Sequence, residues 1–312
     1  MDNQPIISLC IPTNGIIEWV FPVLESIYSQ KVNNALFEVV ISDNGNNEEF
    51  YNKIQEYKVN HENLIYEKTA APLFLSEPEC YKLAHGAFIK FINHRTKLTD
   101  GALEYFINFV QKYVNCETKP IIYYSNSTLK SKKTIQEFNR FSDFVENLRI
   151  YSSWSTGMGI WKEDFDKLRN NNNFNELFPH TTILFNERKR EKYIIDDSFL
   201  LDEMPQGKKP KGNYDLFYAF AVEYPTILLD LVKDKDLTVE AFLNLKKEIL
   251  NFCSVLAVDY FVFRKYCSYD LSSFDKSMKV FFCKQTVLFN MFIYAVTKIS
   301  TQILKVMKIK RG

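Results

Sequence analysis

The sequence lacks the features that mark several common classes of protein. Its 39 Lys and Arg residues nearly balance 38 Asp and Glu, and a net charge of +1 gives no indication of a nucleic-acid partner. Its six cysteines include no Cys-x-x-Cys pair, which argues against a metal framework. Its first residues contain no basic region followed by a long apolar run. We therefore expect a cytoplasmic protein without a signal peptide, a structural metal or bound nucleic acid.

The chain also lacks an apolar stretch of membrane-spanning length. The longest uncharged stretch near its C-terminus, residues 285–297, is shorter than the roughly 20 residues that a transmembrane helix needs. Hydrophobic residues nevertheless make up 46% of the chain and charged residues 25%, which is the balance of a globular protein with a proper core. A length of 312 residues predicts one large domain or two smaller ones.

The first fifty residues carry the strongest structural signal, a strand–helix–strand unit. Residues 6–11 form an apolar run that we expect Pro12 to end, because proline lacks a backbone donor. Residues 18–30 repeat apolar side chains at helical spacing, and residues 37–41 form a second strand that ends at the polar residues 42–46. The unit predicts two parallel strands with both loops at the carboxyl edge of the sheet, where open α/β sheets bind ligands.

The segments ISLCIPTNG, VLESIYSQ and FEVVISDNGN, in this order, resemble the opening of glycosyltransferase family 2, the nucleotide-sugar transferases with a GT-A fold. The resemblance implies an α/β, Rossmann-like fold in which helices flank a mostly parallel sheet. It implies a nucleotide-sugar-binding and catalytic domain over residues 1–205 and a helical C-terminal region over residues 213–312. The polar, lysine-rich residues 204–213 between them read as a loop.

By the same resemblance, the first two loops hold the nucleotide sugar. Family members contact the donor through the first loop, here Pro12, Thr13 and Asn14, and through the second, here Asp43 and Asn44. Both loops also have the composition of ordinary turns, in which an Asn or Asp side chain bonds its own backbone. Their position at strand ends favours the binding role.

A third segment, KLAHGAFIKFINHRTKLTDGALEYF, follows the family's order of helix, apolar strand, metal-binding motif and Gly-Ala-Leu. The family's metal-binding aspartates are missing, because Asn93, His94, Arg95 and Thr96 stand in their place. Mg²⁺ and Mn²⁺ prefer carboxylate oxygens, which this loop does not supply. We therefore expect no cofactor, and a metal-independent site in which Arg95, with His94, stabilises the diphosphate directly.

Two rival interpretations of this loop stay open. In the first, His94 holds a transition metal that takes over the role of Mg²⁺ or Mn²⁺. In the second, the site has lost its activity, and the chain is a binding or scaffold protein that organises other enzymes.

The acceptor side matches the family less completely. A Gly-rich segment that family members place near the sugar and acceptor corresponds here to residues 154–161, in which Trp154 is a candidate for stacking on a sugar. The family's acceptor base, usually in a Glu-Asp pair at a helix start, corresponds to His180, and neutral imidazole can accept a hydroxyl proton near pH 7. Asp196 and Asp197 are the alternative, and a capping or buried structural role also explains His180.

The C-terminal stretch differs from the rest of the chain. Residues 280–307 are dense in Phe, Leu, Ile and Val and carry lysines at intervals. An apolar helix with a basic end can lie on an anionic membrane surface, which would suit a lipid-linked acceptor at the inner face of the plasma membrane. The equally weighted alternative is a helix that packs on the core or on a second copy of the chain.

The resemblance thus implies an inverting glycosyltransferase. It would move a sugar from a nucleotide-diphosphate donor to a hydroxyl of a glycan or lipid-linked oligosaccharide, in the synthesis of a bacterial surface polysaccharide such as capsule or O-antigen. The main alternative is the scaffold protein described above. A nucleotidyltransferase on a similar fold is a weaker third, because residues 12–15 carry no basic side chain.

Overall fold

The computed structural model describes residues 4–168, 173–205 and 212–309, with side chains as far as residue 301. The chain forms two compact units, residues 1–206 and 207–312, which are described separately. Most of the predicted polar loop, residues 206–211, lies outside the described residues.

The first unit is built on a five-stranded sheet with the strand order β3-β2-β1-β4-β8, in which only β8 is antiparallel to its neighbour. Its strands are β1 Ile7–Thr13, β2 Phe37–Asp43, β3 Leu64–Lys68, β4 Phe88–Phe91 and β8 Gly159–Trp161. Thr13 pairs in register with Asp43, so the loops after β1 and β2 lie at the same edge. The predicted mostly parallel α/β sheet is confirmed.

Two smaller sheets complete the first unit. One is an antiparallel pair, β5 Thr96–Leu98 with β10 Leu201–Glu203, and the other has the order β6-β9-β7. Its strands are β6 Ile121–Tyr124, β7 Ile135–Phe138 and β9 Tyr193–Asp196. The sequence did not indicate β7 or β10, and Thr96 and Lys97, in β5, were expected in a loop; all three strands are short.

Helices cover the sheets of the first unit. They are α1 Ile17–Tyr28, α2 Glu48–Val59, α3 Ser76–Lys82, α4 Ala102–Val114, α5 Phe141–Leu148, α6 Lys162–Leu168 and α7 Pro179–Asn186. The main sheet, α1 and α4 share one apolar core that includes Leu9, Val23, Val39, Phe88 and Phe106, all at most 1% exposed. Burial of both faces explains why the central strands read as continuous apolar runs.

The expectation that Pro12 ends the first strand was wrong, since β1 continues through Thr13. Alternate residues of a parallel strand bond to opposite neighbours, and the carbonyl of Cys10 accepts from Ile92 on the β4 side. Pro12 faces the same side, but β4 ends at Phe91. The missing backbone donor therefore falls beyond the end of the neighbouring ladder, where it costs no hydrogen bond.

The second unit is helical, as the sequence predicts. Its α-helices are α8 Leu216–Tyr218, α9 Tyr224–Lys233, α10 Val239–Ala257, α11 Phe274–Phe281 and α12 Lys284–Ile309. A π-helical turn, Ala219–Glu223, leads into α9, which has Pro225 in its first turn. No described helix alone is long and apolar enough to cross a membrane. One pair of helices, Phe274–Phe281 and Lys284–Thr301, reaches the required length and hydrophobicity only when taken together, and the two meet at a bend of 111°.

Candidate functional site

The carboxyl edge of the main sheet contains the point where the strand order reverses. The chain runs from β1 outward to β2 and β3, then returns to place β4 on the other side of β1. Loops that diverge at such a point leave a crevice between them, and open α/β sheets bind ligands there. Here β1 ends at Thr13 and β4 ends at Phe91. The segment Asn93 to Arg95 begins two residues after the end of β4.

One hydrogen bond spans this crevice, between Thr13 Oγ1 and His94 Nδ1 at 2.9 Å. Thr13 Oγ1 also accepts from the backbone N–H of Gly15 at 3.1 Å, so its own proton is available to His94. Burial, together with the positive charge of Arg95, lowers the pKa of His94 to about 4. The imidazole is therefore neutral near pH 7, and its tautomer sets which partner of the Thr13–His94 bond is the donor.

Arg95 lies beside His94 but is already engaged. Its guanidinium forms an ion pair with Glu203 and donates to the carbonyl of Met204 at 2.8 Å. It lies 5.7 Å from the ring centroid of Trp19, which also packs edge-on against His94. The Arg95 residue is 8% exposed, whereas the side chain of Glu203 is 63% exposed. A solvated carboxylate thus neutralises a buried arginine next to the crevice.

Asp43 is fully buried at the end of β2 and organises the second loop. One carboxylate oxygen accepts from the backbone N–H of Gly45 at 2.8 Å. The other accepts from the Tyr66 hydroxyl at 2.8 Å and from Lys68 at 3.0 Å, both on β3. Burial, followed by the bond to Asp43, raises the pKa of Tyr66, so the tyrosine stays a donor. The expected turn role of Asp43 is therefore present together with two cross-strand partners.

The first two loops touch each other closely. A Cβ at Gly45 would lie 2.0 Å from the carbonyl oxygen of Asn14, so only glycine permits this approach. The backbone N–H of Asn44 donates to Thr13, and its side chain donates to Ala71. Asn14 itself is exposed, and Pro12, Asn44 and Asn93 are partly exposed. These predicted residues line one edge, which confirms their shared location but leaves their contacts with a donor a prediction.

The residues after β4 do not suit a divalent cation. Among the described residues, no group of three or more His, Cys, Asp or Glu side chains could hold a metal ion. The carboxylates of Asp43 and Glu203 are engaged with Lys68 and Arg95. A buried guanidinium next to the only imidazole of the loop also repels a cation.

The loop that carries Trp154 leads into β8, where Gly159 pairs with Lys90 near the carboxyl end of β4, and it is held by its backbone carbonyls. Tyr123 on β6 donates to the carbonyls of Tyr151 and Trp154, the second at 2.9 Å. Lys90 on β4 donates to Thr156 at 2.7 Å and to Met158 at 3.2 Å. The Trp154 indole packs edge-on against Tyr151, and the residue is 37% exposed.

Two side chains of α7 hold the same loop. His180 Nε2 lies 2.8 Å from the carbonyl of Ser153, and Thr181 Oγ1 donates to that of Ser152 at 3.2 Å. Since a carbonyl only accepts, the proton of His180 is on Nε2. Its Nδ1 lies 3.5 Å from the buried carboxylate of Glu77 on α3 and makes no hydrogen bond with described residues.

Lys90 is the most unusual of these groups, because it is fully buried in a central strand. Its ammonium lies 5.4 Å and 5.9 Å from the ring centroids of Tyr124 and Phe106, and it also donates to Phe91 at 2.9 Å. Burial lowers its pKa to about 7, against an opposing effect of the Glu77 charge. Three carbonyl acceptors and two aromatic faces replace the water that the ammonium has lost.

The two remaining predicted residues also make internal bonds. Asp196 is fully buried and accepts from the Tyr105 hydroxyl at 2.8 Å. Asp197 accepts from Ser125 at 2.5 Å and from the backbone N–H of Ser131 at 3.0 Å, and so shapes the loop after β6. His180, Asp196 and Asp197 are each at most 7% exposed. Their assignment as the acceptor base stays a prediction, and the geometry favours structural roles.

Four buried or engaged side chains were not predicted from the sequence: Glu77, Lys90, Tyr123 and Glu203. For Lys90, a lysine within the apolar run 87–92 is a visible signal. The others act through partners that are far apart in sequence; Arg95 and Glu203, for example, are 108 residues apart.

The architecture and the polar carboxyl edge of its sheet define the class of protein: the chain has the GT-A fold of glycosyltransferases. The resemblance found in the sequence is thus confirmed at the level of the fold.

Its solved neighbours include Staphylococcus aureus TarS. TarS residues 1–349 in complex with UDP-GlcNAc match with a TM-score of 0.59 at 16% identity, over 87% of this chain and 78% of that chain. The complex with UDP gives a TM-score of 0.55 at 16% identity, over 83% and 75%. A longer TarS structure gives 0.51 at 15% identity, with 82% of this chain but only 43% of that chain covered. No protein-family model matches the sequence, and a search of curated proteins gives no match.

Proposed function

We propose that the chain is an inverting glycosyltransferase that moves a sugar from a nucleotide-diphosphate donor to a glycan hydroxyl. The observation that carries the proposal is the crevice between β1 and β4, bridged by Thr13 and His94 and flanked by the buried Asp43. It lies where GT-A proteins have their donor loops, and the TarS neighbours were solved with UDP and UDP-GlcNAc. A uridine diphosphate sugar is therefore the first donor to test.

In this proposal the first two loops bind the nucleoside. Pro12, Thr13 and Asn14, together with Asp43 and Asn44 of the adjoining loop, form the wall of the crevice that faces the residues after β4. Asp43 acts by holding the loop after β2 through Gly45, which leaves the exposed backbone and side-chain groups of that loop to contact base and ribose. His94, neutral near pH 7, supplies a hydrogen-bonding ring nitrogen at the crevice.

Arg95 is proposed to stabilise the diphosphate by exchanging partners. In the structure its charge is neutralised by Glu203, whose side chain is solvated. A diphosphate carries more negative charge than a carboxylate and matches the guanidinium fork, so it can displace Glu203 at little cost in desolvation. Transfer would then need no divalent cation, because the arginine stabilises the charge that develops on the leaving group.

The acceptor is proposed to bind against the Trp154 loop. An exposed indole on a loop whose backbone is fixed from below is a suitable stacking surface for a sugar ring. In a single displacement a base removes the acceptor proton while the hydroxyl oxygen attacks the anomeric carbon and the diphosphate leaves. His180 remains the sequence-based candidate for that base. Synthesis of a bacterial surface polysaccharide, capsule or O-antigen, is the proposed pathway, and it rests on the family resemblance of the sequence.

Isothermal titration calorimetry with UDP and UDP-GlcNAc, in Mn²⁺ and in EDTA, tests this proposal. We expect binding of equal affinity in both buffers, and a loss of at least about tenfold, roughly 1.4 kcal/mol, in Asp43→Asn. Glu49→Gln, an exposed carboxylate paired with Lys53, is the matched control and should bind as the wild type does. Binding that requires Mn²⁺ would overturn metal independence alone. If UDP and UDP-GlcNAc give no heat, the titrations are repeated with GDP, ADP, CDP and dTDP, and no binding of any of these nucleotides would overturn the function.

The scaffold protein is the second candidate, and one observation favours it. Arg95 is turned onto Glu203 and Met204 rather than into the crevice. If that ion pair is permanent, the site has no cation for a diphosphate. The same titrations decide between the two, because a scaffold protein gives no heat with nucleotides in either buffer.

A further inference from the structure

The last helix presents an apolar face to solvent, and we propose that this face docks on an anionic lipid surface. Residues spaced three and four apart on α12 form the face, so they share one side of the helix. Phe289 is 63% exposed and Phe292 is 66% exposed. The members of this α12 face are Leu288, Phe289, Phe292, Ile293, Val296 and Ile299.

The opposite side of α12 is occupied by the second unit itself. Val287 is 4% exposed, and Lys298 forms an ion pair with Asp259 and lies 4.5 Å from the ring centroid of Phe263. Since one side packs on protein and the other is apolar and exposed, the helix can meet a membrane only along its length. A helix with such a face lies in the plane of the interface, with its apolar side chains in the headgroup region.

Charge identifies the kind of surface. The last 37 residues contain eight basic side chains and no acidic one, a net charge of +8. All 38 acidic residues lie before residue 276, together with 31 basic ones, so the remainder of the chain has a net charge of −7. The basic residues are Lys276, Lys279, Lys284, Lys298, Lys305, Lys308, Lys310 and Arg311.

In the sequence, basic residues both precede and follow the α12 face. Lys276, Lys279 and Lys284 are exposed on α11 and at the start of α12. Three lysines and an arginine follow the face in the last eight residues of the sequence. Aliphatic and aromatic side chains between two basic ends match an anionic leaflet, which attracts each nearby Lys or Arg by about 1 kcal/mol. A second copy of this chain would instead bring like charges together.

Vesicle flotation of the full chain tests the proposal without any nucleotide. We expect it to float with phosphatidylcholine vesicles that contain phosphatidylglycerol and to remain below pure phosphatidylcholine vesicles. Replacing three exposed lysines, in K276Q/K279Q/K284Q, should weaken binding about a hundredfold, or roughly fivefold for each charge. F289S/F292S should abolish it, whereas V239S/L243S, which changes an equally exposed apolar pair on α10, should leave it unchanged.

Three results would overturn the proposal. They are no flotation with anionic vesicles, equal flotation with both kinds of vesicle, and a wild-type dimer in light scattering that F289S/F292S converts to a monomer. The last would make the α12 face a contact between copies of the chain. Nucleotide titrations on the same variants keep this inference separate from the donor site, since F289S/F292S should bind nucleotide as the wild type does.

Discussion

The donor crevice and the Trp154 loop are both held by buried polar side chains, but in different ways. At the crevice, side chains bond to one another and to nearby backbone at strand ends, as Asp43 does with Tyr66 and Lys68 on the next strand. Under the Trp154 loop, donors from β4 and β6 reach backbone carbonyls, as Lys90 does with Thr156. The first arrangement depends on residue identity at every position. The second fixes the path of the loop and leaves its outward side chains able to vary.

Under the proposed function this difference matters, because donor and acceptor impose different demands on their sites. A nucleotide diphosphate is a constant ligand and suits a crevice of fixed chemistry. Acceptors differ among polysaccharides, and a loop whose shape does not depend on its own side chains can change its specificity without loss of folding. Variants that each remove one of these buried polar side chains can test whether the crevice and the Trp154 loop are independent of each other.

Asp43→Ala should produce the largest loss of stability. It removes a fully buried carboxylate and leaves the Tyr66 hydroxyl and the Gly45 N–H without their acceptor, while Lys68, partly exposed, regains water. We expect the free energy of unfolding in urea to fall by about 3 kcal/mol. Glu49→Ala, which breaks a solvated ion pair, should change it by less than about 0.5 kcal/mol. Similar losses in the two variants would mean that Asp43 does not organise the edge.

Lys90→Met should change how stability depends on pH. The pKa of Lys90 is lowered from 10.5 to about 7 in the folded chain, so between these values the unfolded chain binds more protons. Its contribution to stability is therefore smallest below pH 7 and rises with pH through this window. The wild-type advantage over Lys90→Met should grow by about 1.4 kcal/mol per pH unit from roughly pH 7.5 to 9.

The difference between the two proteins cancels the titration of all other groups. Lys53→Met, at a lysine whose side chain is 48% exposed, is the control and should give a constant difference from the wild type. A constant difference for Lys90→Met as well would show that the buried ammonium keeps its ordinary pKa, and that water reaches it.

The crevice and the Trp154 loop also differ in how much of each could be predicted from the sequence. Thr13 and Asp43 could be found because the carboxyl ends of parallel strands meet, so two local patterns were enough to bring them together. The Thr13–His94 bond joins residues 81 apart and depends on the position of β4 in the sheet. The family resemblance supplied that position.

The Trp154 loop could not be predicted in this way. Its supports come from β4, β6 and α7, and each bonds a carbonyl, which every residue has and no sequence pattern marks. Strands β7 and β10 were missed for a related reason. Each is four residues or fewer, and Ile135 in β7 is exposed, so tertiary pairing rather than its own pattern makes it a strand.

Variants of His180 distinguish two roles for this side chain: support of the Trp154 loop, or catalysis as the acceptor base. If it holds Ser153, His180→Gln, which retains an N–H donor, should keep turnover within about tenfold of the wild type. His180→Ala should lose about 1 to 2 kcal/mol of stability together with most turnover. If it is the acceptor base, both variants lose activity about equally, by 10² to 10⁴, since an amide cannot take a proton. Nucleotide affinity should be unchanged in both, and a large change would contradict the separation of the two sides.

Glu203→Gln should have the smallest effect, and an effect in the opposite direction. It removes the charge that neutralises Arg95, so a diphosphate no longer has to displace a carboxylate. Because the glutamate is solvated, the ion pair is worth at most about 1 kcal/mol, and UDP should bind up to roughly fivefold more tightly at low salt. Added salt should reduce the gain, since it screens the same pair. Asp202→Gln, at the adjacent exposed carboxylate, controls for a general change in surface charge. Unchanged or weaker UDP binding in Glu203→Gln alone would mean that Arg95 does not exchange partners, and the diphosphate would then need another cation.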